Sequence, residues 1–178
     1  ILGAVFDHKK NLKEAANNYR KSIKINSSYA EGYNNLGAVL YKLGKFDESI
    51  NNYKYAIKIK PDFVEAYNNL GSVFQLKADF KAARQAYHKV LEMQPQLAAA
   101  HKNLGLLSLL QGDFKRGWQE YEWRLKTELY QPYARNLPQP RWHGCDLKNK
   151  TILVWAEQGI GDQIMFVNVF HLLAQKAQ

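Results

Sequence analysis

The sequence predicts an all-α solenoid of stacked helical hairpins, and three observations carry that expectation. Residues 30–63 return in kind at 64–97 and again from 98, a period of 34. Two residue types keep that spacing independently: Gly3, Gly37, Gly71 and Gly105, and Tyr19, Tyr53, Tyr87 and Tyr121. Inside the unit the apolar spacing is helical. Tyr33, Leu36, Gly37 and Leu40 mark one helix, and Phe46, Ile50, Tyr53 and Ile57 mark a second. One such hairpin cannot bury its own apolar face, so neighbours must stack.

Element ends carry their own signals. Ser28-x-x-Glu31 and Asp62-x-x-Glu65 read as capping boxes that open the first helices of two units. Asn11, Asp79 and Asp113 suit the N-caps of second helices, and Pro61 and Pro95 stop them. Gly44 and Gly112 suit the left-handed residue that follows a helix end. A mid-helix glycine costs about 1 kcal/mol against alanine. Its recurrence implies that the second helix crosses there, too close for a side chain. These boundaries give an array over 1–126, with a partial repeat at 1–29 and repeats at 30–63, 64–97 and 98–126.

Composition bounds the function. With 46% hydrophobic and 13% aromatic residues the chain can pack a core. No run approaches the ~18 apolar residues of a membrane span. The single Cys145 rules out an internal disulfide and suits a reducing, cytoplasmic setting. The net charge of +9 raises nucleic acid as a partner. Yet Lys21, Lys24, Lys54, Lys58 and Lys89 fall on second-helix positions that should simply face water, and no basic stripe emerges. A nucleic-acid partner is not expected. His143 and Cys145 lie two apart with nothing to complete a ligand set, so no metal site is expected either.

The Leu36-Gly37, Ser49, Tyr53 and Pro61 positions resemble those of the tetratricopeptide repeat, over residues 1 to about 126. The last copy departs from the pattern, with His101 where Tyr33 and Tyr67 stand and Ser108 where Leu40 and Phe74 stand. Such arrays offer a concave surface lined by their first helices. There Asn35, Asn69 and Asn103 form a ladder, with Asn34 and Asn68 beside it. An amide carries donors and an acceptor, so a stacked row can hold an extended protein or peptide acceptor without reading its sequence. The repeats of protein O-GlcNAc transferase are similar here. The same amides could instead bond neighbouring turns and shape the superhelix, and the two roles are compatible.

After the array the pattern changes. Trp118 takes the place of Ile50 and Arg84, and with Trp123 it is expected to cap the stack. Residues 127–150 read as an extended connector with Pro132, Pro138 and Pro140. Thr151 to Ala156 is a short apolar run rich in branched residues, expected to be a buried strand. Glu157-Gln158-Gly159-Ile160-Gly161-Asp162 and a helix from about Gln163 to Gln175 follow, so 151–178 reads as the first strand and helix of a truncated Rossmann-like α/β domain. A strand, glycine loop and helix place backbone N–H groups where a phosphate could sit. The loop is neither a P-loop nor a good dinucleotide fingerprint, since Ile164 stands where a third glycine belongs.

The path from Gly117-Trp-x-x-Tyr-Glu-Trp-Arg124, through Pro140-x-Trp142-x-Gly144, to Glu157–Asp162 resembles bacterial tetratricopeptide proteins that continue into a GT-B glycosyltransferase similar to heptosyltransferases. The resemblance implies transfer of sugar from a nucleotide-sugar donor to an acceptor hydroxyl. It also implies Asp162 as general base, with Glu157, Gln158, Gly159 and Gly161 in the phosphate and acceptor loop. Asp162 equally suits the N-cap of its own helix. Asn168 stands where the family often has arginine. Residues 1–178 are expected to be a fragment that binds no cofactor and transfers no sugar by itself. The alternative is a non-catalytic interaction scaffold.

Overall fold

The computed structural model describes residues 11–128. Among these are seven α-helices and one 3-10 turn, and no strand. They are α1 (Leu12–Ile25), α2 (Ala30–Lys42), α3 (Phe46–Ile59), α4 (Val64–Leu76), α5 (Phe80–Met93), α6 (Ala98–Leu110), α7 (Phe114–Tyr121) and the 3-10 turn Glu122–Lys126. Helices α2, α4 and α6 are the first helices of three hairpins, and α3, α5 and α7 are their partners. The chain divides into two units, Ile1–Thr127 and Glu128–Gln178. The expected connector beyond Glu128, the strand at 151–156 and the helix after it lie outside the described residues.

The core is a chain of small clusters, each closing one helix against the next. Ala15, Ala16 and Tyr19 of α1 meet Leu36, Val39 and Leu40 of α2. Ile50 and Tyr53 of α3 meet Leu70 and Val73 of α4, and Ala83 and Tyr87 of α5 meet Leu104 and Leu107 of α6. Helices α1, α3 and α5 therefore each bury an apolar stripe against the first helix of the following hairpin. This is the stacking that a lone hairpin lacks. The second-helix lysines 21, 24, 54, 58 and 89 are all exposed, so they solvate the outer face.

The recurring glycines do what their spacing implies. A Cβ on Gly37 would lie 2.7 Å from the Tyr53 ring, and one on Gly71 would lie 2.5 Å from the Tyr87 ring. In the last hairpin the obstacle is backbone instead. A Cβ on Gly105 would meet the Tyr121 nitrogen at 2.5 Å, and one on Gly117 would meet the Leu109 nitrogen at 2.9 Å. With Gly105, Ser108 and Gly117 all small, the two main chains approach directly. Tyr121 therefore keeps the register but not the role of Tyr53 and Tyr87. It packs edge-on to Trp118, with the Arg124 guanidinium over its ring.

The caps divide into two groups. Asn11, Asp79 and Asp113 accept from the backbone N–H of Glu14, Ala82 and Arg116, closing the first turns of α1, α5 and α7 as expected. The two capping boxes do not form. The first helices start one residue later, with Tyr29 and Phe63 at the N-cap and no side-chain cap bond. Phe63 is needed in the cluster with Ala30, Ala56 and Ala66, so packing between hairpins fixes the boundary that capping chemistry alone would put at Asp62.

Gly44 and Gly112 take the left-handed conformation, at φ +73° and +81°. The equivalent Ala78 is held there too, at φ +59°. An L-residue with a Cβ loses roughly 1–2 kcal/mol in that region. Ala78 is exposed and its side chain is needed for no packing. Ala78→Gly is expected to stabilise the array by about 1 kcal/mol in urea unfolding; an unchanged or lower midpoint would contradict this.

Candidate functional site

The first helices α2, α4 and α6 touch one another from hairpin to hairpin and form the inner face. Their asparagines fall into two kinds. Asn34 is 1% exposed and both ends of its amide are engaged. Its Nδ2 donates to Glu65 Oε1 at 2.9 Å, and its Oδ1 accepts from Asn69 Nδ2 at 3.2 Å. One repeat on, Asn68 Oδ1 accepts from Asn103 Nδ2 at 3.1 Å. The ladder is thus diagonal, each rung tying one first helix to the next. The superhelix-shaping role read from the sequence is present in these bonds.

The same bonds leave capacity over. Asn69 and Asn103 are half-buried and each uses one N–H on its neighbour. Each keeps an Oδ1 and a second N–H without a partner among the described residues. Asn35, also half-buried, has no hydrogen-bond partner among the described residues. Asn34 faces the next repeat rather than solvent. The ladder therefore joins oxygens committed to the stack, on Asn34 and Asn68, to half-buried amides with groups to spare, on Asn69 and Asn103.

Beside this row, toward the C-terminal ends of α4 and α6, lies a cleft of about 440 Å³. Its walls are Leu76, Phe80, Leu106 and Leu110, and Asn103, Ser72 and Gln75 supply its polar atoms. Tyr41 and Tyr87 complete it. The Tyr87 hydroxyl donates to Gln75 Oε1 at 3.1 Å and lies 3.4 Å from Ser72 Oγ. Burial pushes the Tyr87 phenol above its ordinary range, so it stays a neutral donor at physiological pH. No side chain lining the cleft carries a charge. The sequence pointed to the amides here but not to the outer leucines: Leu76 and Leu110 match each other across one repeat but stand where the first full repeat has Lys42.

The last hairpin holds a second arrangement. His101 stacks on Trp123 with centroids 4.0 Å apart, and Lys126 Nζ lies 3.8 Å from the Trp123 centroid. The imidazole Nδ1 is 2.6 Å from Glu120 Oε2 and Nε2 is 2.9 Å from the Pro95 carbonyl. This pair occupies the same positions as the stacked Tyr33 and Tyr55. His101 therefore replaces tyrosine as a packing partner of the final turn. Trp118, expected to cap the stack alongside it, is 53% exposed. Ile50, at the equivalent place, is covered by α4, and no following hairpin covers Trp118 among the described residues.

The other candidates lie elsewhere in the chain. Asp162, Glu157, Gln158, Gly159 and Gly161 lie outside the described residues. Among the described residues no cluster of three or more histidine, cysteine or acidic side chains could hold a metal ion. No described helix is long and apolar enough to cross a membrane.

The sequence profile of the TPR repeat matches residues 8–44 and 39–77, and that of the tetratricopeptide repeat matches 64–97. The chain belongs to the tetratricopeptide-repeat proteins. Protein FlbA of Caulobacter vibrioides is 39% identical over 49 residues, which is 28% of this chain and 8% of FlbA. The chain thus matches only a small part of that relative. The crystal structure of MamA superposes with a TM-score of 0.66 at 21% identity, covering 75% of this chain and 78% of MamA. The first TPR domain of Spaghetti (RPAP3), bound to the HSP90 peptide SRMEEVD, gives 0.60 at 20% identity over 62% of this chain and 87% of that one. YrrB, a TPR protein with an unusual peptide-binding site, gives 0.62 at 20% identity over 71% and 66%. At these identities the likeness establishes the helical repeat fold.

The two kinds of asparagine should separate on mutation. Asn34→Ala removes a buried, doubly bonded amide and is expected to destabilise by about 1–3 kcal/mol. Asn103→Ala loses one half-exposed bond and should lose about 1 kcal/mol or less. Equal losses in chemical denaturation would contradict the division.

Proposed function

We propose that the inner face of the array binds an extended segment of a partner protein. The observation that carries this reading is the row of half-buried amides at Asn35, Asn69 and Asn103, each with hydrogen-bonding capacity to spare, beside an uncharged cleft. Packed helices lie roughly 9 Å apart, and extended chain rises about 3.3 Å per residue. Successive rungs then meet every third residue of a bound strand. Amides bond backbone N–H and C=O without regard to side chain, so the ladder supplies affinity and little selectivity. The RPAP3 domain, bound to a peptide, and YrrB, with a peptide-binding site, share the fold and support peptide binding by such an array.

The fuller reading is that this array recruits an acceptor for a GT-B glycosyltransferase. What favours it is the resemblance running from Gly117 to Asp162. On that reading Asp162 deprotonates the acceptor hydroxyl, and Glu157, Gln158, Gly159 and Gly161 form the loop beside it. A nucleotide-sugar is the donor, and the array itself does no chemistry. The alternative scaffold reading needs only the groove.

Asn35→Ala tests the groove cleanly, because Asn35 holds no described structural bond. Against an immobilised array of unrelated extended peptides, its affinity should fall roughly 3- to 10-fold, the loss of about one hydrogen bond. Its melting temperature should stay that of the parent. Unchanged affinity would overturn the proposal.

A further inference from the structure

The groove is not uniform, and its uneven chemistry narrows the partner. Across it, the N-terminal edge carries the exposed carboxylates Glu31 and Glu65, with Glu31 paired to Lys60 at 3.4 Å. The centre is the amide row. The C-terminal edge of α4 and α6 is the apolar cleft, whose outermost walls, Leu76 and Leu110, are 56% and 62% exposed. Lys42 occupies the corresponding place in the first full repeat, so the apolar edge belongs to the second and third repeats alone.

We infer that this cleft is a socket for one large apolar side chain of the bound segment, leucine, methionine or phenylalanine, and that Asn103 holds the peptide unit next to it. The inference rests on the groove reading and adds selectivity to it. Asn103 lines the cleft and retains both an acceptor and a donor, the pair that one peptide group requires. Leu106 lies one turn further along the same helix face, so a residue whose backbone meets Asn103 has its neighbour's side chain over the leucines. A volume of about 440 Å³ accommodates such a side chain with space for its backbone. A charged side chain would find no counter-charge in the lining and would lose part of its hydration against the leucines. Lys102 stands beside Asn103 in sequence but does not line the cleft. The chemistry therefore selects an apolar anchor on an extended backbone, a different class from an acidic tail.

The test uses the full chain and seventeen-residue peptides of glycine, serine and threonine, long enough to run from Asn103 to Asn35, whose central residue alone is varied. The central residue is leucine, methionine, phenylalanine, alanine, aspartate or lysine, and affinity is read by fluorescence anisotropy. The three large apolar residues should bind roughly tenfold or more tightly than alanine, and aspartate should bind weakest. The exposed double variant Leu76→Lys with Leu110→Lys, which places at both helix ends the residue that Lys42 supplies in the first full repeat, should abolish that preference while melting as the parent does. Asn35→Ala should weaken all the peptides alike and leave the ranking intact. Equal binding of all six peptides would overturn the socket but leave the groove reading standing, as would a ranking led by aspartate. A preference that survives the double variant would also overturn the socket. Absence of binding by every peptide would overturn both.

Discussion

The contact on which the structure depends is the close crossing of a glycine under an aromatic ring. Gly37 lies beneath Tyr53 and Gly71 beneath Tyr87, at distances that no Cβ could share. Both rings are buried, so they have no free direction in which to move. The loss of helix propensity at each glycine is about 1 kcal/mol. Burying a tyrosine ring against the next hairpin returns roughly 2 kcal/mol or more, so the packing wins. Repeating the same crossing angle turns a hairpin into a superhelix and places α2, α4 and α6 side by side. Without that, Asn34 could not reach Asn69, nor Asn68 reach Asn103.

The amide ladder shows how structure and binding can share residues without conflict. One amide in each linked pair gives an oxygen to the stack, and the other gives one N–H and keeps the rest. Sequence alone left the two roles as alternatives because Asn34 and Asn35 are adjacent and chemically identical. Helical geometry separates them by 100° of rotation. Asn34 turns toward the following helix and is buried, whereas Asn35 remains half-exposed. Surface ion pairs such as Arg20–Glu48, at 3.2 Å, trim the outer edges and contribute little beside this.

The repeat was legible because it is enforced by steric contact: a position that tolerates only glycine leaves the same letter every 34 residues. The N-caps at Asn11, Asp79 and Asp113 were legible for a similar reason, as local chemistry at exposed turns. What could not be read were features decided between hairpins. Phe63 overrode the capping box because the junction cluster needs an apolar residue there. Tyr121 kept the spacing of Tyr53 and Tyr87 but lost their place, because Gly105 and Gly117 bring backbone against backbone. Among the described residues Trp118 meets no following hairpin, which its sequence position could not disclose. The cleft was invisible because Leu76 and Leu110 look like ordinary helix-end residues until α4 and α6 stand side by side.

The central claim is that glycine and tyrosine act as one unit in setting the hairpin crossing. A double-mutant cycle on Gly71 and Tyr87, read by urea unfolding, tests it most directly. Alone, Gly71→Ala should destabilise by roughly 1–3 kcal/mol, since the Cβ drives a buried ring out of place. In a Tyr87→Leu background the ring is gone, and the same substitution should become neutral or stabilise by up to about 1 kcal/mol through helix propensity. An effect of the same sign and size in both backgrounds would contradict the account.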